Sequence, residues 1–416
     1  MSSRGNEPVG QAEWAHHWRF PLISAAASAV SVTHLNSVGV ILPAIREEYR
    51  WPVTQVVAGL TLLSIVALLL SGWVGAAVDR WGSRRIGMAG VAIYCAGFAA
   101  LSTAGPSIWS WWLLWLAIAC GYVCTTGTVW TPAIARRFSR HRGLAIAVML
   151  CGNGVSAAAL PFITTVLVER YGWRGACIGI GAVEAGCVLP LLWLFFRDRI
   201  PAGARPVILD APPVQGGLSF RDAIRSLHYV KIAGAALLFT MATTGLVVHF
   251  VPILREAGLA PRTAALTAGG IGIGAIVGRL VTGILLDHLH GPIIGGIAFS
   301  LPVAALALLL SHPTPTTSVA IALLIGLALG SELDVVAYVS TRYFGLRHLG
   351  VILGTIVGLI SFGGGMGPLV SGIMFDLFGN YHGFIIALIV PLLISAVLIA
   401  SLGPYPSSDV LAGDTT

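Results

Sequence analysis

Residues 264–286 read AALTAGGIGIGAIVGRLVTGILL, an apolar stretch of membrane-spanning length that contains one charge, Arg279. As a helix, about 20 such residues cross the hydrocarbon core of a bilayer. A charged side chain at the bilayer centre costs about 2.5–3.5 kcal/mol on insertion scales, so it is retained where it faces a water-filled cavity or a partner. We therefore predict that Arg279 marks a pathway for an anion.

The remainder of the chain repeats this apolar pattern. Of its 416 residues 56% are hydrophobic and only 10% are charged, whereas soluble domains carry roughly 25% charged residues. The first nineteen residues are polar and the first apolar run is long enough to span, so we expect no cleavable signal peptide. The sequence predicts an all-α integral membrane protein with twelve transmembrane spans, numbered 1 to 12, at residues 20–44, 54–78, 86–104, 108–132, 141–168, 173–196, 229–254, 263–286, 292–311, 316–340, 348–375 and 381–402.

The net charge of +7 is distributed unevenly between the two sides of the predicted membrane. With the N-terminus in the cytoplasm, 17 of the 24 Lys and Arg residues lie on the cytoplasmic side, six lie on the opposite side, and Arg279 lies inside. This bias predicts that both termini are cytoplasmic in a bacterial inner membrane, and that the basic charge reflects topology, not nucleic-acid binding. The six cysteines lie in predicted spans without zinc or redox spacing, so we expect no metal and no cofactor.

The two halves of the chain resemble each other. Four pairs of landmarks are separated by 206 to 208 residues, namely Phe138 and Phe344, Pro161 and Pro368, Gly172 and Gly379, and Asp79 and Asp287. Parallel six-helix repeats are a transporter architecture in which the substrate lies between the halves. We predict an N-terminal tail at 1–19, six-helix bundles at 20–196 and 229–402, a linker at 197–228 with a short surface helix at 220–227, and a tail at 403–416.

The loop after span 2, GAAVDRWGSRR at residues 75–85, resembles the signature of the major facilitator superfamily between helices 2 and 3. GILLDHLHG at residues 283–291 is similar to the weaker copy of that signature in the second half. The resemblance implies a secondary transporter whose halves rock about a central site, with a cytoplasmic latch that stabilises the outward-open state. It places that latch on Gly75, Asp79, Arg80, Gly82, Arg84, Arg85 and Asp287.

Three further stretches resemble the monocarboxylate-transporter and oxalate–formate group of that superfamily: residues 46–62, 136–161 and 277–287. In that group an arginine of helix 8 clamps the substrate carboxylate, and it falls on Arg279. The chain departs from the group at Ala275, where the animal carriers have a carboxylate. It also lacks the lysines that family members carry in helices 1 and 11, and its one lysine is Lys231. A single fixed cation suits a monoanion, because a second carboxylate would lack a partner.

Two acids in span 10 could pair with Arg279 or carry a proton. A guanidinium binds a carboxylate bidentately, but Arg279 could instead form a structural ion pair with Asp334 or Glu332 that never meets substrate. Residues 332 and 334 lie about 200° apart on a helix, so both cannot face one cavity. One face of span 10 carries a polar stripe formed by Ser331, Asp334, Tyr338 and Thr341. This stripe favours Asp334 as the proton carrier. Glu332 is the second candidate, and it could instead pair with backbone or a neighbouring helix.

Other polar side chains inside the spans are candidate substrate contacts. Histidine can donate to a carboxylate or relay a proton, and a buried amide needs a partner. Each of these residues could instead be a packing residue that bonds a neighbouring helix. The candidates are His249, His34, Asn36, Asn153 and Tyr338, which lies on the polar stripe with Asp334.

Together these features predict a transporter, not an enzyme, that carries a small organic anion by proton symport of a monocarboxylate. We expect it to function as a monomer in the lipid bilayer, with the anion and a proton as its partners. Three alternatives remain open: an organic anion exchanger, a proton-coupled drug or cation exporter that uses Asp334 and Glu332, and a sensor that binds ligand without transport.

Overall fold

The computed structural model describes residues 14, 17–135, 137–138, 142–196, 217–311, 313–345 and 347–406. Most of the predicted tails and most of the predicted linker lie outside these residues. Within the described part of the linker, a short helix at Phe220–Arg225 occupies the position expected for a surface helix.

Eleven helical segments of the described chain are long and apolar enough to cross a membrane. One of them, Arg142–Phe195, is a double-length segment whose helical course breaks at Gly172 (φ 68°, ψ 176°), so it contains spans 5 and 6. The prediction of twelve spans is therefore confirmed. The other spans are Arg19–Val30 with Thr33–Tyr49, Val53–Trp81, Ser83–Ala100, Ile108–Val123 with Gly127–Ala135, Leu227–Glu256, Pro261–His288, Gly291–Leu310, Pro315–Phe344, Leu349–Phe378 and His382–Ala400.

The internal repeat is visible in the backbone. Gly379, which follows span 11, has φ 71°, and Gly172 between spans 5 and 6 has φ 68°. Positive φ is accessible to glycine without the steric cost that a side chain would bring, which explains why the two halves share a glycine at this turn. Buried apolar side chains form two main clusters, one in each half, with Trp111 and Trp115 in the first and the stacked pair Phe239 and Phe299 in the second. The structure thus consists of two six-helix bundles.

Spans 1 and 4 are each broken near their middle, which the apolar pattern did not predict. At the break in span 1, the Ser31 hydroxyl and backbone N–H both donate to the Ser28 carbonyl, at 2.7 and 2.9 Å. At the break in span 4, the Thr125 hydroxyl donates to the Tyr122 carbonyl at 2.8 Å. Hydroxyl groups that bond nearby carbonyls offer the backbone an alternative to the regular helical ladder.

The two bundles approach each other unevenly along their length. We call the end where spans 1 and 7 begin the linker end, and the opposite end the far end. Along spans 2 and 11, a Cβ added at Gly365 would lie 2.4 Å from the Ser64 side chain, and one at Gly358 would lie 3.5 Å from Leu68. One at Gly354, nearer the linker end, would meet nothing within 4 Å. The gap between these spans therefore widens toward the linker end.

At the far end, polar contacts join the bundles. The Asp376 carboxylate of span 11 accepts the backbone N–H groups of Val53 and Thr54 at 2.9 and 2.8 Å, and the Thr54 hydroxyl at 2.6 Å. Asp376 therefore caps the N-terminus of span 2, whose own N-cap residue, a proline, makes no such bond. Nearby, Arg262 of span 8 pairs with Glu169 of span 5 at 2.7 Å. Together these contacts hold the far end closed.

We expect Asp376→Ala to shift the protein toward a state that is open at the far end. Loss of a helix cap costs about 0.5–2 kcal/mol, which corresponds to a shift of up to roughly thirtyfold in the equilibrium between states. The measurement is a spin-label distance between exposed positions Arg170 and Ala260, one in each bundle, after replacement of the native cysteines.

A longer-distance population should grow in Asp376→Ala and stay unchanged in the control Asp222→Ala. Asp222 is also near a helix N-terminus, that of the short helix after the linker, where its backbone N–H donates to Ser219. Identical distance distributions for Asp376→Ala and the parent protein would contradict this assignment.

Candidate functional site

A cavity of about 190 Å³ lies between the two bundles. Five spans contribute to it: 1, 5, 7, 8 and 10. Its walls are mostly aliphatic, and its one charged lining residue among the described residues is Arg279. The lining residues are Val32, Leu35, Asn36, Leu150, Cys151, Asn153, Gly154, Ala157, Thr244, Val247, Ile271, Ala275, Ile276, Arg279, Leu329 and Gly330.

Arg279 is positioned by an ion pair. Its Nη1 donates to Asp334 Oδ1 of span 10 at 2.9 Å, and the two side chains are 15% and 28% exposed. A guanidinium has five N–H donors, so this pairing leaves donors for a ligand. Arg279 thus pairs with Asp334 and also lines the cavity, and its contact with a substrate stays a prediction.

Close helix packing brings this pair together. A Cβ added at Gly330 of span 10 would lie 2.0 Å from the Ala275 carbonyl oxygen, and one at Gly278 of span 8 would lie 2.2 Å from the Leu327 carbonyl oxygen. Glycines at these positions let the two backbones meet, as small residues do in membrane helix pairs. Asp334 follows Gly330 by about one turn, which places its carboxyl beside Arg279.

Glu332 faces a different neighbour. It is 7% exposed, and its Oε1 accepts a hydrogen bond from the Thr240 hydroxyl of span 7. Ser331 bonds Thr282 of span 8 at 2.6 Å. The two acids of span 10 thus contact different partners, as their angular separation predicts. Asp334 is the one that reaches the arginine of the cavity.

Two of the predicted amides line the cavity, and each has one end already bonded. Asn153 Oδ1 accepts the Ser28 hydroxyl at 2.8 Å, and Asn36 Nδ2 donates to the Val32 carbonyl at 3.1 Å. Within the described residues, the Asn153 Nδ2 group and the Asn36 Oδ1 atom have no protein partner. Asn153 can therefore donate a hydrogen bond to a ligand in the cavity, and Asn36 can accept one.

The predicted histidines lie outside the lining of this cavity. His34 is buried, and its Nδ1 lies 3.1 Å from the Tyr94 hydroxyl. His249 is fully buried, and its Nδ1 lies 3.0 Å from the Tyr381 hydroxyl. Tyr338 also lies elsewhere, packed beside the start of span 9. A substrate role for these three residues remains a prediction from sequence, since their contacts here are those of packing residues.

The latch signature lies at the linker end of spans 2 and 3. Gly82, with φ 86°, ends span 2. Arg84 donates to the Trp193 carbonyl of span 6, and Arg80 lies over the Trp81 ring at 5.6 Å. These contacts are within the N-terminal bundle, and a latch role stays a prediction. The other members, Gly75, Asp79, Arg85 and Asp287, are half-buried or exposed.

Several residues of the site were missed in the sequence, because short hydroxyl and thiol side chains are common in apolar helices. Thr244 and Cys151 line the cavity, while Ser28 and Thr240 hold predicted residues in place. A usable signal was present in span 7, where the sequence TMATT concentrates three threonines within two turns. Elsewhere the chain offers no pattern that separates these residues from ordinary small packing residues.

Comparison with known proteins agrees with this architecture. The family model described as Major Facilitator Superfamily matches residues 24–332 and 233–413. Human monocarboxylate transporter 11 is 28% identical over 393 residues, which cover 90% of this chain and 80% of the relative. Bovine monocarboxylate transporter 13 is 28% identical over 399 residues, which cover 93% of this chain and 88% of the relative.

Among solved structures, a bacterial homologue of the human lysosomal transporter Spinster, in an inward-facing and occupied conformation, has a similar fold. The TM-score is 0.69 at 17% sequence identity, with 95% of this chain and 97% of that chain covered. At this identity the likeness shows the fold alone.

The Tyr381 contact yields a test of whether His249 is a packing residue. Tyr381 lies in the turn between spans 11 and 12, where burial raises the pKa of its hydroxyl, so it stays a neutral hydrogen-bonding partner. Tyr381→Phe leaves a buried ring nitrogen without that partner, at a cost of about 1–3 kcal/mol. We expect a lower melting temperature of the purified protein and unchanged relative affinities among anions.

The control is Tyr171→Phe, because Tyr171 is exposed at the end of span 5. A packing role for His249 would be wrong if Tyr381→Phe left the melting temperature unchanged while selectively weakening substrate binding.

Proposed function

This chain belongs to the major facilitator superfamily, and from that premise we propose that it is a proton-coupled symporter of a small organic monocarboxylate. The observation that carries the proposal is the Arg279 guanidinium, which lines the cavity between the bundles while it holds the Asp334 carboxylate.

The charges of the pair favour an anion with one negative charge. The ion pair of Arg279 and Asp334 is neutral as it stands, so a bound carboxylate would add an uncompensated charge to a largely apolar cavity. Such a charge is strongly disfavoured in a poorly solvated site. Protonation of Asp334 removes this obstacle, because the substrate carboxylate then replaces Asp334 as the partner of Arg279.

Loading with one proton and one monocarboxylate therefore restores neutrality. The neutral, loaded carrier can rock between its two states, whereas binding of the anion alone leaves a net charge in the site. Coupling follows from this difference, since the substrate binds well only when the proton is present. In this scheme the Asn153 amide supplies a further donor to the same carboxylate.

The proposed orientation follows from the distribution of basic residues. If both termini are cytoplasmic, as the excess of Lys and Arg on that side favours, the closed far end faces outward and the cavity opens inward. We place the carrier in a bacterial inner membrane as a monomer. The latch residues around Asp79 and Arg84 would act in the opposite state, when the linker end closes.

The alternative functions require different properties of Asp334 and Glu332. A cation exporter needs a carboxylate free to bind its substrate, but Asp334 is paired with Arg279 and Glu332 is buried against Thr240. An anion exchanger needs no proton carrier, and Ala275 at the family carboxylate position is compatible with one. The distinction between symport and exchange therefore requires measurement.

We expect Arg279→Ala to abolish uptake of labelled monocarboxylates into proteoliposomes. Truncating one member of a buried charge pair costs about 2–5 kcal/mol, so the loss should be roughly thirtyfold or more. Arg279→Lys keeps the charge but not the bidentate geometry, and it should recover only a small part of the activity. Unchanged uptake in Arg279→Ala would contradict the anion site.

We also expect Asp334→Asn to uncouple anion transport from the proton gradient. The amide resembles the protonated acid, so exchange of internal for external anion should continue while gradient-driven accumulation is lost. Glu332→Gln is the comparison, and it should retain accumulation.

Other outcomes identify the alternatives. Loss of accumulation in Glu332→Gln alone would move the proton carrier to Glu332. A parent protein that ignores the gradient and requires internal anion would be an exchanger. Proton-driven export of a lipophilic cation, without anion transport, would establish the exporter.

A further inference from the structure

We propose that the substrate carries a hydroxyl group at the end opposite its carboxylate, and that Asn36 Oδ1 accepts the hydrogen bond from this hydroxyl. This inference rests on the proposed function, since it assigns the second end of the ligand whose carboxylate is held by Arg279. It specifies the substrate class as hydroxylated monocarboxylates with an apolar body.

The two polar groups of this proposal are Arg279 and Asn36, and they lie at opposite ends of the cavity. Asn36 also lines a smaller space nearer the far end, where it shares the wall with Ile271 and Ala268 of span 8. Arg279 lies eight residues beyond Ile271 on the same span, which is about 12 Å along the helix axis. Because span 8 runs from the far end to the linker end, Arg279 lies on the linker side and Asn36 on the far side.

Both side chains lean into the space between them. A Cα–Cβ bond tilts toward the N-terminus of its helix. Span 1 begins at the linker end, so Asn36 leans toward Arg279, and the bond from Asn36 Nδ2 back to Val32 shows this direction. Span 8 begins at the far end, so the Cα–Cβ bond of Arg279 tilts toward Asn36, while Asp334 holds the guanidinium. The two Cα–Cβ bonds therefore converge on the space between the two positions.

The hydrogen-bonding state of Asn36 decides which ligand group it prefers. Its Nδ2 donates one hydrogen to the Val32 carbonyl and keeps a second, while Oδ1 has no partner among the described residues and can only accept. Thr244 on the facing bundle donates its hydroxyl hydrogen to the Thr240 carbonyl at 2.6 Å, so its oxygen also presents lone pairs. A hydroxyl group suits this level of the cavity, because it can donate to these acceptor oxygens and accept from the second Nδ2 hydrogen, whereas a second carboxylate cannot donate.

The walls between the two ends are aliphatic, with Val32, Leu35, Val247 and Ile271 among them. The cavity of about 190 Å³ is large enough for a ring, since an apolar cavity of about 150 Å³ holds benzene. A rigid, flat acid with a hydroxyl opposite its carboxylate therefore satisfies Arg279, the walls and Asn36 together.

The test compares three acids that differ only at the remote position: benzoate, 4-hydroxybenzoate and 4-methoxybenzoate. Each is used to compete with uptake of a labelled monocarboxylate in proteoliposomes that contain the full chain. We expect the hydroxy acid to compete roughly five- to tenfold more strongly than benzoate, as one hydrogen bond in a desolvated site supports. The methoxy acid, which cannot donate, should compete no better than benzoate.

Three variants separate the contributions of the two ends of the ligand. Asn36→Leu removes the acceptor at similar volume and should abolish the preference for the hydroxy acid, so that the ratio falls to about one. Asn153→Leu removes a donor beside the carboxylate and should weaken both acids equally, with the ratio retained. Asn36→Asp keeps an acceptor oxygen and should keep the ratio even if all affinities fall.

The outcomes distinguish this inference from the function on which it rests. If benzoate and the labelled acid are transported through Arg279 but the parent protein shows no preference for the hydroxy acid, the hydroxyl assignment is overturned and the anion carrier stands. A preference that survives in Asn36→Leu also overturns it. If no acid competes with or supports uptake, the proposed function and this inference fail together.

Discussion

The ion pair between Arg279 and Asp334 is the interaction on which the rest of this structure depends. Two opposite charges inside a membrane bundle are tolerated because each provides the other with a partner in a poorly hydrated environment. The pair also leaves guanidinium donors of Arg279 unused, and Arg279 lines the cavity. In the mechanism that we propose, removal of the charge of Asp334 makes Arg279 available to another carboxylate, which would link protonation to anion binding without a second cation.

Close helix packing positions Arg279 and Asp334. Glycines in spans 8 and 10 bring the two backbones into direct contact, so that side chains on adjacent turns can meet at 2.9 Å. Between the bundles, the polar contacts of Asp376 close one end, while the other end diverges. A cavity that is closed at one end and open at the other is the geometry that alternating access requires. The same contacts that close the far end must break when the carrier changes state, so their strength sets the balance between the two states.

The fold was largely predictable from the sequence, because twelve apolar runs and a repeated offset leave few arrangements for a membrane protein. The turn glycines Gly172 and Gly379 were informative, since their spacing matches and their backbone conformations both require positive φ. The breaks in spans 1 and 4 were not predictable, because hydropathy averages over the Ser and Thr residues that redirect the backbone.

The site was predictable in part. An arginine within a membrane span has few structural roles, and helical spacing correctly separated the partners of Asp334 and Glu332. The histidines were less informative, because a buried imidazole that bonds a tyrosine has the same sequence signature as one that meets a substrate. Small residues such as Cys151 and Ser28 gave no signal of their own. Their role depends on which helices face each other, and a single sequence does not specify this pairing.

The most direct test of the central claim is the number of protons taken up when a monocarboxylate binds to the purified carrier in weakly buffered solution. The exchange of Asp334 for the substrate on Arg279 predicts uptake of about one proton per bound anion, since a charged pair is replaced by a neutral acid and a new pair. Asp334→Asn should bind the anion with no proton uptake. Anion binding without proton uptake in the parent protein, or equal uptake in Asp334→Asn, would contradict the account.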